Sequence, residues 1–185
     1  MIKWGIVGLG NMASRFANAI KEVNNAKLVA VSSLSNSKLD LFASEYNINS
    51  ELRFNNYKSL AECKEIDAVY ISTLNNTHSH LISLFAVNKK NILCEKPFCI
   101  NIEEGGKLKK LIEDNNVKFF EAIAYLSHPQ TDEILTLIKN DEIGEVNHIR
   151  SEFGFKVKKI NPNSRLFNKE LGGGAILDLG CYPIS

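Results

Sequence analysis

The chain has 185 residues, 44% hydrophobic and 23% charged, which is typical of a globular protein with one substantial core. A formal net charge of +1 and the absence of a basic face argue against nucleic acid as a partner. No apolar run has the length of a membrane span, and the amino-terminal apolar stretch is too short for a signal peptide. The four cysteines lack CxxC spacing and are expected to be reduced thiols. These features predict a cytoplasmic protein.

Apolar strands and amphipathic helices alternate through the first two thirds of the chain. Strands are predicted over 3–8, 27–32, 68–72, 92–95 and 118–124, and helices over 11–23, 38–46, 77–88 and 102–115. This alternation is typical of a parallel sheet, and strands that are apolar at nearly every position have helices on both faces. Residues 1–125 are therefore predicted to form a doubly wound parallel α/β sheet, that is, a Rossmann domain that binds a dinucleotide.

The pattern changes in residues 126–185. A helix is predicted from about 130 to 140, a strand of a half-solvated antiparallel sheet over 146–157, and another helix from about 175. One strand and one helix cannot bury both their faces without further partners. Residues 126–185 are therefore expected to be the beginning of an α+β substrate domain that is truncated here, with the rest downstream or on a second polypeptide.

A glycine turn follows the first predicted strand and opens the first predicted helix. Gly8 permits the tight turn, Gly10 leaves room for a pyrophosphate, and Ala13 allows helix and strand to pack closely. The N–H groups at the helix start, including those of Asn11 and Met12, are available to phosphate oxygens. The alternative is a glycine turn that only connects the two elements, but its context favours a dinucleotide site.

The end of the second predicted strand bears on the choice of nicotinamide cofactor. Ser32 and Ser33 stand where an NAD-binding protein carries an acidic residue for the ribose 2′-hydroxyl. No carboxylate is present to repel a 2′-phosphate, and the serine hydroxyls and Lys38 could receive one. The sequence therefore favours NADP and leaves NAD open.

A charged turn, Glu95-Lys96-Pro97, follows the strand predicted over 92–95. Ligands of doubly wound sheets bind beyond the carboxyl ends of the strands, and a partly desolvated lysine there loses its proton more readily. Lys96 is therefore a candidate for proton transfer with a substrate hydroxyl. Taken alone, the tripeptide would more often be a solvated loop lysine with a turn proline.

Four motifs in order resemble the Gfo/Idh/MocA oxidoreductases over essentially the whole chain. They are the glycine turn, the segment 72–78 (STLNNTH), Glu95-Lys96-Pro97, and the stretch 172–183 (GGGAILDLGCYP). Because its last motif carries a tyrosine, Tyr182, the chain is most similar to the branch that contains glucose-fructose oxidoreductase, dihydrodiol dehydrogenases and xylose dehydrogenases. The resemblance implies hydride exchange between a nicotinamide and a sugar or polyol carbon.

The resemblance implies that Lys96 is catalytic and that Tyr182 is its partner as general acid/base. A neighbouring ammonium is expected to lower the pKa of the phenol. Asp178 lies four residues before Tyr182 on one predicted helix face and would orient the substrate or tune the pair. The alternative is an exposed aspartate and a tyrosine used for packing.

The resemblance also implies cofactor contacts around these groups. The implied positions are Ser72, Thr73, Leu74, Asn75, His78, Glu95 and Lys96. Leu74 replaces the family's usual proline, and Leu126 stands where an arginine is common. Arg165 is either an anion contact near the cofactor or a solvated loop charge. His78 and His80 do not face one another on a helix, so no metal is expected.

The sequence thus predicts an NAD(P)-dependent dehydrogenase for a small sugar or polyol substrate. A homo-oligomer is expected through the sheet of the second domain, by resemblance. The alternative is a non-catalytic dinucleotide-binding module, such as a redox sensor. A Rossmann-type methyltransferase is disfavoured, because Lys96 and Tyr182 would then occur together by coincidence.

Overall fold

The computed structural model describes all 185 residues and contains one six-stranded parallel sheet with helices packed against it. The strands are β1 (Ile2–Val7), β2 (Ala26–Ser32), β3 (Arg53–Phe54), β4 (Ala68–Ile71), β5 (Asn91–Cys94) and β6 (Phe119–Glu121). The α-helices are α1 (Asn11–Lys21), α2 (Asn36–Glu45), α3 (Tyr57–Glu62), α4 (His78–Val87), α5 (Ile102–Asn115), α6 (Pro129–Lys139) and α7 (Cys181–Ile184).

The strand order is β3-β2-β1-β4-β5-β6, so the chain runs outward from β1 to one side and then returns to build the other side. The carboxyl ends of β1 and β4 meet where this order reverses, which is where doubly wound sheets bind their ligands. The predicted fold class is confirmed.

The core explains why the central strands are apolar at successive positions. Ile6 and Val7 are both fully buried, although neighbouring side chains on a strand point to opposite faces. Ile6 belongs to a cluster with residues of α1 and α2, such as Phe42, and Val7 to a cluster with residues of α4 and α5, such as Phe85 and Leu108. Helices therefore cover both faces of the sheet.

Two short elements between α2 and β4 carried no clear sequence signal. β3 has two residues, which pair with Val31 and Ser32 of β2. The side chain of Asn56 caps α3 by accepting a hydrogen bond from the Ser59 N–H at 2.8 Å. Two residues are too few for a periodic pattern, so β3 could not be predicted.

The prediction of a strand over 146–157 is wrong. This stretch contains no strand, and its large apolar side chains, including those of Ile149 and Phe153, are exposed. The alternation of residue types is present, but a strand also needs a partner, and none lies beside it. The predicted helix over 130–140 is confirmed as α6, which has no buried residue. The predicted last helix begins as a π-helical turn, Ile176–Gly180, and continues as α7.

None of the helices combines the length and apolar character that crossing a lipid bilayer requires. Likewise, His, Cys, Asp and Glu side chains nowhere gather in threes in an arrangement that could ligate a metal ion.

Candidate dinucleotide site and active site

Gly8 forms the turn between β1 and α1 in a conformation that requires glycine. Its φ is +84°, and a Cβ atom there would lie 2.6 Å from Thr73 Cγ2 and 2.9 Å from the Ser72 carbonyl oxygen. The Ser72 hydroxyl donates a hydrogen bond to the Gly8 carbonyl oxygen at 2.7 Å. The end of β4 therefore holds the glycine turn directly.

Gly10 leaves the start of α1 open. A Cβ atom there would meet no atom within 4 Å, and no side chain caps the helix. The first-turn N–H groups, those of Asn11, Met12 and Ala13, have no partner within the helix and carry the positive end of its dipole. These features fit a pyrophosphate, because they provide both space and unpaired donors.

Exchanging the two glycines for alanine should separate their roles. Gly8→Ala is expected to lower the free energy of unfolding by about 1–3 kcal/mol, because φ is positive and the space is filled. Gly10→Ala is expected to keep that free energy within about 1 kcal/mol of wild type and still weaken dinucleotide binding, because its methyl group enters the open space. Urea unfolding and isothermal titration measure the two effects. A stable Gly10→Ala variant with unchanged affinity would contradict the assignment of the phosphate site.

The segment after β4 mostly supports the site from beneath. Asn75 is buried and donates to the Gly172 carbonyl oxygen at 2.9 Å, which ties this segment to the C-terminal part of the chain. His78 is fully buried, with Nδ1 2.8 Å from the Pro97 carbonyl oxygen and Nε2 3.3 Å from that of Thr73. Burial lowers the pKa of His78 and keeps the ring neutral. Of the residues predicted to contact the cofactor in this segment, only Leu74 is exposed.

The serines at the end of β2 are buried, and both hydroxyls already have partners. Ser32 donates to the Asn56 carbonyl oxygen at 3.1 Å, and Ser33 accepts from the Ser35 N–H at 3.2 Å. Lys38, in the first turn of α2, has an exposed side chain. Of the three residues predicted to contact the 2′-phosphate, Lys38 is thus the one with a solvent-exposed side chain.

Lys96 and Asp178 form a shielded ion pair although they are 82 residues apart. Lys96 Nζ lies 3.2 Å from Asp178 Oδ1 and also donates to the Asp178 backbone carbonyl. Their side chains are 14% and 11% exposed. The pair joins the loop after β5 to the π-helical turn and holds the lysine amine at the carboxyl edge of the sheet.

Arg165 shares the same carboxylate oxygen, with Nη1 3.0 Å from Asp178 Oδ1. Its side chain is 53% exposed. Burial alone would raise the pKa of Asp178, but hydrogen bonds and charge from Arg165 and Lys96 lower it below its usual range. Asp178 therefore stays ionised and forms ion pairs with both Lys96 and Arg165. The sequence placed Arg165 at an anion or in solvent and did not predict this pairing.

Tyr182 lies next to Lys96, whose Nζ is 5.3 Å from the centre of the phenol ring. The ring also packs edge-on against Phe153, with centroids 5.1 Å apart. The expected lowering of the Tyr182 pKa is wrong for this structure. Burial, followed by the negative charge of nearby acidic groups including Glu95 and Asp178, raises that pKa.

Two supporting residues of the Glu95-Lys96-Pro97 turn were missed from the sequence. Glu121 at the end of β6 accepts the Phe98 N–H at 3.0 Å, and the Tyr70 hydroxyl donates to Glu95 Oε1. Tyr70 stands in an apolar strand and looked like a core residue. Sequence spacing does not show this contact, because it depends on the register that pairs Tyr70 with Leu93 and so places Tyr70 on the same side as Glu95.

An apolar groove of about 740 Å³ lies beside α5. It is lined by Phe98, Ile102, Ile112, Phe119 and Leu177 among others, and contains neither the glycine turn nor Lys96. The chemistry of the candidate site is therefore defined by the charged groups at the sheet edge and not by the groove.

Comparison with known proteins identifies the family. Residues 2–123 match the model described as "Oxidoreductase family, NAD-binding Rossmann fold", and residues 132–185 match the "GFO/IDH/MocA C-terminal domain". The chain therefore belongs to the GFO/IDH/MocA oxidoreductase family, as its motifs predicted, and residues 2–123 match its NAD(P)-binding Rossmann fold.

Individual relatives have related names. The chain is 34% identical over 184 residues to a trans-1,2-dihydrobenzene-1,2-diol dehydrogenase of Xenopus tropicalis, covering 98% of this chain and 54% of the relative. It is 27% identical to a D-xylose 1-dehydrogenase (NADP(+)) of Haloferax volcanii, covering 98% and 55%. The chain thus spans about half the length of these curated relatives.

Solved structures share the fold. A scyllo-inositol dehydrogenase of Lactobacillus casei, solved with NAD(H) and scyllo-inositol, is 26% identical with a TM-score of 0.73, covering 78% of this chain and 43% of the other. A 3-ketoreductase of Actinomadura kijaniata is 23% identical with a TM-score of 0.83, covering 99% and 55%. The second likeness includes the C-terminal residues of the chain as well as its sheet.

Proposed function

We propose that this chain is the cofactor-binding and catalytic-lysine part of an NAD(P)-dependent oxidoreductase that transfers a hydride to or from a sugar or polyol carbon. Lys96 and Tyr182 are its acid/base groups, and Asp178 orients Lys96. The observation that carries the proposal is the meeting of Lys96 with Asp178 and the Tyr182 ring at the carboxyl edge of β5.

The protonation states of these groups support the assignment. A raised pKa keeps the Tyr182 proton on the phenol oxygen at neutral pH, so Tyr182 can donate it to a carbonyl oxygen that is being reduced. The Lys96 ammonium, held by Asp178, stabilises negative charge on that oxygen and can return a proton to the phenolate. A bound nicotinamide would supply or accept the hydride.

The names of the relatives support the substrate class. They include a D-xylose dehydrogenase, a dihydrodiol dehydrogenase and an inositol dehydrogenase solved with its polyol. All three names refer to carbons that bear hydroxyl groups. A sugar or polyol is therefore proposed here, with an alcohol or carbonyl carbon as the reacting centre.

The direct test is turnover by the longest in-frame polypeptide that carries residues 1–185. It should be assayed with NADP and NAD against a panel of pentoses, hexoses, inositols and cyclic diols, in both directions. Nicotinamide absorbance that changes with one of these substrates supports the proposal. Dinucleotide binding with no turnover across the panel would instead favour a non-catalytic binding module or redox sensor.

The cofactor preference follows from the end of β2. We expect NADPH to bind more tightly than NADH, because no carboxylate is present there to repel the 2′-phosphate and Lys38 is free to approach it. Lys38→Gln is expected to weaken NADPH binding about two- to fivefold, the effect of one exposed ion pair, and to leave NADH binding unchanged. Isothermal titration with both cofactors measures this.

A matched control is Lys27→Gln, because Lys27 is an exposed lysine near the opposite end of β2. This variant should bind NADPH like wild type. The preference is contradicted if wild type binds NADH clearly more tightly, or if both lysine variants lose NADPH affinity equally.

A further inference from the structure

Tyr70 is a buried polar residue that the proposed mechanism does not use. It lies on β4 with 2% of its surface exposed. Its ring stacks on Phe16 of α1 with centroids 4.2 Å apart and belongs to the same core cluster as Ala13 of the glycine turn. A phenylalanine would fill this apolar space equally well, so the hydroxyl group calls for a separate explanation.

That hydroxyl donates a hydrogen bond to Glu95 Oε1. The Glu95 carboxylate forms no ion pair and no other hydrogen bond in the structure. Burial, together with the charge of Glu95, strongly raises the pKa of Tyr70, so the phenol keeps its proton and remains a donor. The orientation of Glu95 therefore depends on Tyr70.

The sheet topology places Glu95 beside one half of a bound dinucleotide. β2, whose end receives the adenosine ribose, lies on one side of β1, and β4 and β5 lie on the other. A dinucleotide that crosses the glycine turn therefore extends its nicotinamide half over the ends of β4 and β5. Glu95 follows β5 directly and precedes Lys96.

We propose that Tyr70 is a positioning residue that holds the Glu95 carboxylate towards the nicotinamide half of the cofactor. The inference rests on the proposed dinucleotide-dependent function. With the hydroxyl removed, Glu95 is free to rotate into solvent or towards the charge of Lys96. Binding of the cofactor would then have to order the Glu95 side chain, and this loss of side-chain entropy weakens the affinity.

The experiment is isothermal titration of the chain with its preferred nicotinamide dinucleotide and, separately, with ADP. ADP carries the adenosine and both phosphates but lacks the nicotinamide ribose. Tyr70→Phe is expected to weaken dinucleotide binding about five- to tenfold, the cost of ordering one flexible side chain during binding, and to leave ADP binding within twofold of wild type. In a Glu95→Ala background, Tyr70→Phe should have no further effect.

Tyr46→Phe is the matched control, because the Tyr46 hydroxyl donates to the Ser14 carbonyl oxygen of α1 at 3.3 Å and does not contact Glu95. It should leave both affinities unchanged. Equal weakening of ADP and dinucleotide binding by Tyr70→Phe would show a general scaffold role and overturn the inference. Unchanged dinucleotide binding in Tyr70→Phe, with normal wild-type binding, would overturn it alone. A wild-type chain that binds neither the nicotinamide dinucleotide nor ADP would overturn the proposed function as well.

Discussion

Replacing Lys96 with methionine is expected to lower kcat by about 10²–10⁴-fold, the usual contribution of a positioned acid/base group. Methionine fills a similar volume but removes the amine that reaches Asp178 and the Tyr182 ring. The phenol would then lack both the neighbouring charge and the group that returns its proton. Steady-state turnover of the longest in-frame polypeptide measures the loss, and titration of the cofactor shows whether binding survives.

Two further variants make the Lys96 prediction specific. Lys96→Arg keeps the positive charge but does not release a proton in proteins, so it should restore little turnover if proton transfer is required. Lys90→Met removes another lysine, which lies at the opposite end of β5 from Lys96 and donates to the backbone carbonyls of Cys63 and Ile66. It should retain turnover. Activity in Lys96→Met equal to that of wild type would refute the catalytic assignment.

The parts of the site that follow from short-range sequence patterns could be predicted. A glycine turn between an apolar strand and an amphipathic helix defines Gly8 and Gly10 locally, and the structure adds only the reason why Gly8 must be glycine. The alternation of apolar strands with amphipathic helices likewise predicted most of the sheet. Both are properties of neighbouring residues, and backbone geometry translates them directly into structure.

The parts that depend on distant neighbours could not be predicted. The direction of the Tyr182 pKa shift depends on how deeply the phenol is buried and on which acidic groups surround it, and sequence spacing shows neither. The alternating residues at 146–157 are a true local pattern, yet they form no strand without a partner. Ser32 and Ser33 looked available for a phosphate until burial and their own hydrogen bonds were visible.

The role of His78 also depends on distant neighbours and could not be predicted from the sequence. Its motif predicted a residue beside the cofactor, and the structure places the ring beneath the site, bridging the carbonyl oxygens of Thr73 and Pro97. Its effect on the cofactor would therefore pass through the two loops that it joins. Contacts of this kind depend on tertiary structure and leave no mark on sequence spacing.

Asp178→Asn is expected to release the C-terminal segment from the sheet and to reduce turnover together with it. Asparagine keeps the size of the side chain but removes the charge that Lys96 and Arg165 share. Hydrogen bonds to charged groups are worth about 1.5–3 kcal/mol each, and exposure of Arg165 reduces its share. At pH 7 the opening free energy of amides around residues 172–182 should therefore fall by about 1–3 kcal/mol, measured by hydrogen exchange, while the central strands keep their protection.

The pH dependence of this opening free energy shows whether charge or packing holds the C-terminal segment in place. Because the folded-state pKa of Asp178 is lowered, its ionisation stabilises the docked segment above the unfolded-state pKa, about 3.9, and this stabilisation is lost as the pH falls through the lower folded-state value. The difference between wild type and Asp178→Asn should therefore be full at pH 7 and shrink below about pH 4. Asp40→Asn, on the exposed part of α2, should match wild type at both pH values. A difference that stays constant down to acid pH would mean that shape, and not the shared charge, holds the segment against Lys96.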